Sequence, residues 1–359
     1  MNARMASLFV GIAGLVLCAA GLVFDPGAVL RGWLAAFAFW VGLPLGALML
    51  LLAHDLTGGR WGRAAREPLR AAASTMPLLA LCLLPILFAL PLLYPWARPE
   101  YAATLKNLFY LNAPFFIARA LVFVAVWTLL SLVAAWRAAA VPTPVAVVGL
   151  ILLGLTATLA AFDWTMSLEP EWGSSIYGMM VISGHLLAAL ALATLVAVVT
   201  GTAVAEGERM DLGSLLIAGI LLWFYLSFMQ FLIIWEEDLP KEITWYVARL
   251  AGGWGWVAVL GALGQGALPF FALIWWPVKR SRVGLGAVCG LLLASHLLEC
   301  WWLVLPGTPG GWTWFAPAAT LGIGGLWAAL FLGRLEAARR RPAVEAPHTA
   351  GLVGEARHG

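Results

Sequence analysis

The chain has 359 residues, of which 63% are hydrophobic and 11% charged, with a formal net charge of +3. Soluble domains carry about a quarter charged residues, so this composition excludes a water-soluble enzyme. It predicts an all-α polytopic membrane protein, in which the small basic excess reports topology beside membrane lipid rather than a nucleic-acid partner.

Apolar runs long enough to cross about 30 Å of hydrocarbon recur at 5–23, 33–53, 71–93, 114–136, 144–162, 174–200, 212–235, 253–276, 284–305 and 313–333. These ten spans form a single transmembrane domain over 1–341. The first run has the look of a signal peptide, with Arg4 before it, but lacks a convincing cleavage site and reads as a helix. The basic loop 57–70 reads as a short amphipathic helix on the inner surface. The polar tail 342–359 reads as disordered and cytoplasmic.

With the first residues in the cytoplasm, fifteen basic residues fall inside, among them Arg60, Arg63, Arg66, Arg70, Arg137, Lys279 and Arg280. Five fall outside (Arg31, Arg98, Lys106, Lys241 and Arg249), and Arg119 lies within a helix. This positive-inside bias predicts a multi-pass protein with both ends of the chain cytoplasmic.

A weak internal repeat runs through the spans. Trp96 and Trp235 are offset by 139 residues, the basic exits Arg137 and Lys279 by 142, and Asp163 and Glu299 by 136. The copies would face the same way, which predicts two parallel four-helix bundles, one over about 33–162 and one over about 174–305, flanked by the first and last spans.

Ionisable groups within a membrane are costly and therefore functional candidates. His185 and His296 fall near mid-depth, and Glu299 shares a helix face with His296. With Asp163 and Glu169 at the outer mouth they make a stepped series of proton-exchanging groups, with Gln230, Tyr225, Ser183 and Ser295 available to hold bridging waters. Two other readings stay open: the histidines as structural hydrogen-bonding residues between helices, or as axial ligands of a b-type haem. The outer acids Glu171, Glu236, Glu237 and Asp238 read as a solvated face or as a docking rim for a basic partner. Arg119 reads as half of a structural ion pair with Glu100 or Asp163. Glycines at 252–266 argue for close helix packing. Cys18, Cys82, Cys289 and Cys300 lie in apolar runs without CxxC or CxxCH, so no covalent c-type haem, cysteine cluster or metal site is expected on this chain.

The strings YLNAPFFIAR (110–119), FDWTMSLEPEW (162–172), QFLIIWEEDLPKEITWYVAR (230–249) and SHLLECWWLVLP (295–306) resemble, in order, the ActF-type membrane subunit of bacterial alternative complex III. That complex is a quinol:cytochrome c oxidoreductase whose membrane subunits have the NrfD/polysulphide-reductase fold. The resemblance implies a subunit of the bacterial inner membrane without redox cofactors of its own, engaged in proton translocation and in anchoring outer-side subunits. The partners it implies are c-type cytochrome subunits carrying haem, an iron–sulfur subunit and a paralogous NrfD-like membrane subunit, with quinol nearby. It singles out Asp163, His296 and Glu299 for the proton path, followed by His185. Two positions depart from the pattern: Glu171 stands where a His is usual, and Glu236, Glu237 and Asp238 where neutral residues are usual. Both make the outer face more acidic. An autonomous proton-coupled transporter and the quinol-binding subunit of an NrfD-type reductase are the competing functions.

Overall fold

Residues 2–102, 109–136, 140–200, 204–306 and 313–339 are described in a computed structural model of the chain. Ten helices among them are long and apolar enough to cross a membrane: α1 (Ala3–Phe24), α2 (Pro26–Thr57), α3 (Trp61–Phe88), α4 (Ala113–Ala135), α5 (Thr143–Leu168), α6 (Tyr177–Val199), α7 (Glu206–Glu237), α8 (Trp254–Ile274), α9 (Arg282–Val304) and α10 (Phe315–Ala338). The described residues contain no strand. The chain is an all-α, multi-pass membrane protein, as its composition requires: in hydrocarbon each backbone polar group must be satisfied within its own helix. Lys106 and Arg137 of the loop assignments, and the tail 342–359, lie outside the described residues.

Local signals set the helix ends. Asp25 caps α2 by accepting from Ala28 N at 2.8 Å, with Pro26 in the first turn. Asp238, at φ 46°, closes α7 in the left-handed region, and Gly252 and Gly253 at positive φ turn the chain into α8. A short helix, Ile243–Leu250, occupies the outer connection between α7 and α8.

One expectation is refined. The basic stretch 57–70 does enter a short helix, Trp61–Ala73, but this helix is the opening of α3 and packs against α2 and α6. That span is also interrupted. It breaks at Ser74–Thr75 and Leu83, shortly before Pro77 and Pro85, and a further break at Ala89, before Pro91, follows its end, because proline removes a donor and crowds the preceding turn. At the first break the hydroxyls of Ser74 and Thr75 donate to Ala71 O and Ala72 O.

Helices α2 to α5 pack among themselves, and so do α6 to α9; the two groups meet where α2 lies against α6 and α9, and where α3 and α5 touch α6. Helices α1 and α10 pair with each other and flank α2. The most buried surface therefore runs along α2 and α6, and it is there that the polar groups converge.

Candidate functional site

His185 lies eight residues inward from the outer start of α6, and His296 eight residues from the outer end of α9. At 1.5 Å per residue both stand about 12 Å below the helix ends. The rings meet: His185 Nδ1 and His296 Nε2 are 3.1 Å apart. On the other side His296 Nδ1 is 2.9 Å from Glu299 Oε2, one helical turn away. Two further donors reach the same carboxylate, Trp223 Nε1 on α7 to Oε1 at 2.7 Å and Gln265 Nε2 on α8 to Oε2 at 2.7 Å. All five side chains are buried, His296 to 2% exposure.

The backbone makes room for this cluster. A Cβ on Gly42 or Gly46 of α2 would collide with His185, and one on Gly184 would press on His296 and Glu299. Gln265 sits in a π-helical stretch, Ala262–Ala267, a wide turn often found where a helix serves a functional group. The chain His185–His296–Glu299 is thus a continuous string of hydrogen-bonded titratable groups. A proton passing between His296 Nδ1 and Glu299 Oε2 stays on one face of α9 and needs no movement of that helix. The two imidazoles bond directly to one another.

Two buried ion pairs lie toward the end of the bundle where α5 leads into α6. Arg119 of α4 grips Asp163 of α5 with a fork, Nε to Oδ2 at 2.8 Å and Nη2 to Oδ1 at 3.0 Å, while Nη1 donates to Tyr110 O. Its guanidinium lies 3.8 Å from the Tyr110 ring centre. Burial pushes the Tyr110 phenol up to about 12. No hydrogen bond among the described residues joins Asp163 to His296 or Glu299. The second pair is Arg249, 1% exposed, with Glu169: Nη1 donates to Oε1 at 2.5 Å, and Nη2 donates to Leu303 O on α9. Burial lowers the Arg249 pKa against the opposing pull of Glu169.

The outer acids are spread out. Glu171 accepts from Tyr101 and lines a cleft of about 320 Å³ with Glu169, Trp172 and Lys241. Glu236, Glu237 and Asp238 are exposed at the end of α7. A larger cavity of about 400 Å³ lies between α6, α7, α8, α9 and the short helix, with Glu299 in its lining beside Trp223, Phe228 and Trp302.

Sequence reasoning brought His185, His296 and Glu299 forward but missed Trp223, Gln265 and the Arg249–Glu169 pair. Gln265 carried a signal, since a glutamine in the apolar run GALGQGALPFF is a polar group in a span. Trp223 carried none. Where α2 meets α3, at the opposite end of the bundle, lies a further cluster: Arg66 pairs with Asp55 at 2.7 Å and approaches His54 Nδ1 at 3.1 Å.

Compared with models of known protein families and with curated protein sequences, the chain matches none. The likeness to alternative complex III rests on the quoted strings alone.

Proposed function

We propose that this chain is a non-redox integral membrane subunit of a quinol:cytochrome c oxidoreductase of the alternative complex III kind, and that it carries protons through the His185–His296–Glu299 string. The observation that carries the proton assignment is the unbroken hydrogen-bonded contact of three titratable side chains deep in the membrane. Buried ionisable groups are expensive there, and imidazole and carboxyl groups are the side chains most readily tuned to exchange protons near neutrality. The assignment to a complex is supported by the order and content of the resembling strings. In it the cytochrome, iron–sulfur and paralogous membrane subunits carry the redox centres, and the acids of the outer face anchor them. The membrane is the bacterial inner membrane, with both ends of the chain on the cytoplasmic side.

Gentle solubilisation of native membranes and capture of this chain tests the assembly. Stoichiometric c-type cytochromes with an iron–sulfur protein are expected; a chain recovered alone overturns the complex. Proton movement is tested in the reconstituted complex by Glu299→Gln, which is expected to keep the subunits together and abolish proton translocation. Full translocation in that variant removes Glu299 from the path.

One observation favours a second reading. The cavity beside Glu299 has aromatic walls, and Phe224, Phe228 and Val259 around it are more than a third exposed on the outside of the bundle. This suits a quinol head whose hydroxyl donates to Glu299, as in a quinol-binding subunit. Photolabelling of Ser227 or Phe228 by a quinone analogue on the purified subunit is its test. The transporter reading calls for discontinuous helices around a central site, whereas α6, α7 and α9 run through the cluster without a break and α8 only widens there into its π-helical stretch.

A further inference from the structure

Proton exchange at His296 and Glu299 requires a way to water, and Asp163, held in its ion pair with Arg119, does not supply one. Glu299 is the member of the string that lines the 400 Å³ cavity. Five residues separate it from the outer end of α9, so the cavity belongs to the outer half of the membrane.

One face of α7 connects that cavity to the outer surface. Trp223, Ser227 and Gln230 follow at spacings of four and three residues, which stacks them along a single stripe. Trp223 bonds to Glu299. Ser227 lines the cavity, and its hydroxyl is buried with no hydrogen-bond partner among the described residues. Gln230, 2% exposed, accepts from Ser174 at 3.1 Å, and its amide Nε2 is buried beside a phenol. The phenol is that of Tyr246, which also lines the cavity. Burial pushes that phenol up to about 12, so Tyr246 stays a neutral hydroxyl at physiological pH. Ser174 lies in the outer loop between the exposed residues Gly173 and Ser175. A second buried atom without a partner among the described residues, Gln265 Oε1, belongs to the amide that holds Glu299. Buried polar groups are almost always satisfied by protein or by ordered water, and a space of this volume with several polar partners is roomy enough for water.

We propose that the cavity carries water and is the outward branch of the proton path, from Glu299 past Ser227 and Gln230 to Ser174 and the outer surface. A proton leaves the Glu299 carboxyl for a cavity water, and a proton from that water passes on to the next. No electron moves and no covalent bond changes other than O–H. The inference rests on the reading of Glu299 as a proton-exchanging group.

Hydrogen–deuterium exchange of the Glu299 carboxyl, followed by infrared spectroscopy on the full chain in nanodiscs, tests it. The C=O band is assigned by its loss in Glu299→Gln. Ser227→Leu, which fills the branch with an apolar side chain, is expected to slow exchange of that band at least tenfold, and Gln230→Leu to slow it as well. Ser227→Thr, which keeps the hydroxyl, is expected to exchange at the wild-type rate and shows whether a change at this position alone disturbs the fold. Exchange at the wild-type rate in both leucine variants overturns the route while leaving the relay standing. A carboxyl band that never forms between pH 5 and 9 overturns the relay, and the route with it.

Discussion

Asp163 is fully buried, and its only charged partner among the described residues is Arg119, bound through both carboxylate oxygens. Removing one member of such a pair leaves the other charge stranded in a low-dielectric interior, which costs about 3–5 kcal/mol. Arg119→Leu is therefore expected to lower the thermal midpoint in detergent sharply. Arg119→Lys loses the fork but keeps the charge and should fall between. The double variant Arg119→Met with Asp163→Leu should recover most of the loss, because a packed apolar pair avoids desolvation altogether. If all three variants unfold alike, the pair does more than hold α4 to α5. Asp163 also shows how far the sequence is legible at this scale. Glu100 and Asp163 are both open to it as partners of Arg119, with the acid read at the mouth of the spans; the packing of α4 on α5 selects Asp163, 44 residues along the chain, and buries it fully. Arg249 was similarly visible as an outer basic residue, while its burial against Trp245, Leu303 and Glu169 depends on a short helix that hydropathy does not reveal.

Helix pairing depends on where side chains are missing. A Cβ on Gly14 of α1 would fall on the backbone of Ala318 and Gly322 of α10, and one on Gly11 on the backbone of Gly325 and Leu326. Without a hydrophobic driving force between spans, such backbone approach supplies the packing that holds them. Gly14→Ile is expected to cost about 1–3 kcal/mol, the usual price of overpacking, and to separate α1 from α10. Gly154→Ile on α5, where nothing lies within 4 Å, is the matched control and should be near neutral. Thermal unfolding of both in one detergent checks the contrast, and equal losses would mean that α1 is held by something other than this seam. The same principle places His185, whose ring and backbone lie against Gly42 and Gly46. At this scale the sequence was read well for number and order of spans, since about twenty apolar residues in a row allow little else. It is less legible inside α3, where hydropathy averages across the breaks that Pro77 and Pro85 cause.

The whole molecule carries its orientation as a charge asymmetry. Arginines gather where α2 meets α3 and where α8 meets α9, and several are tied there by acids: Arg60 to Asp211, Arg66 to Asp55 and Arg280 to Glu206. The opposite ends of the spans carry Glu171, Glu236, Glu237 and Asp238 exposed. Translocation responds to Lys and Arg in short loops and little to acids, so these ion pairs leave the topological signal intact. On the proposed topology the first face is cytoplasmic, and the cavity beside Glu299 lies toward the other side. Cysteine labelling decides this cleanly, because Cys18, Cys82, Cys289 and Cys300 are all buried and give little background. Arg63 and Glu237 are both exposed, on opposite faces. In intact spheroplasts a membrane-impermeant maleimide is expected to label Glu237→Cys at once and Arg63→Cys only after permeabilisation. Arg4→Cys, exposed at the start of α1, should behave as Arg63→Cys does, since the odd number of crossings between Arg63 and Glu237 and the even number between Arg4 and Arg63 follow from the same ten helices. The reverse pattern would invert the molecule. The path from Glu299 through Ser227 and Gln230 would then open to the cytoplasm, serving proton uptake instead of release.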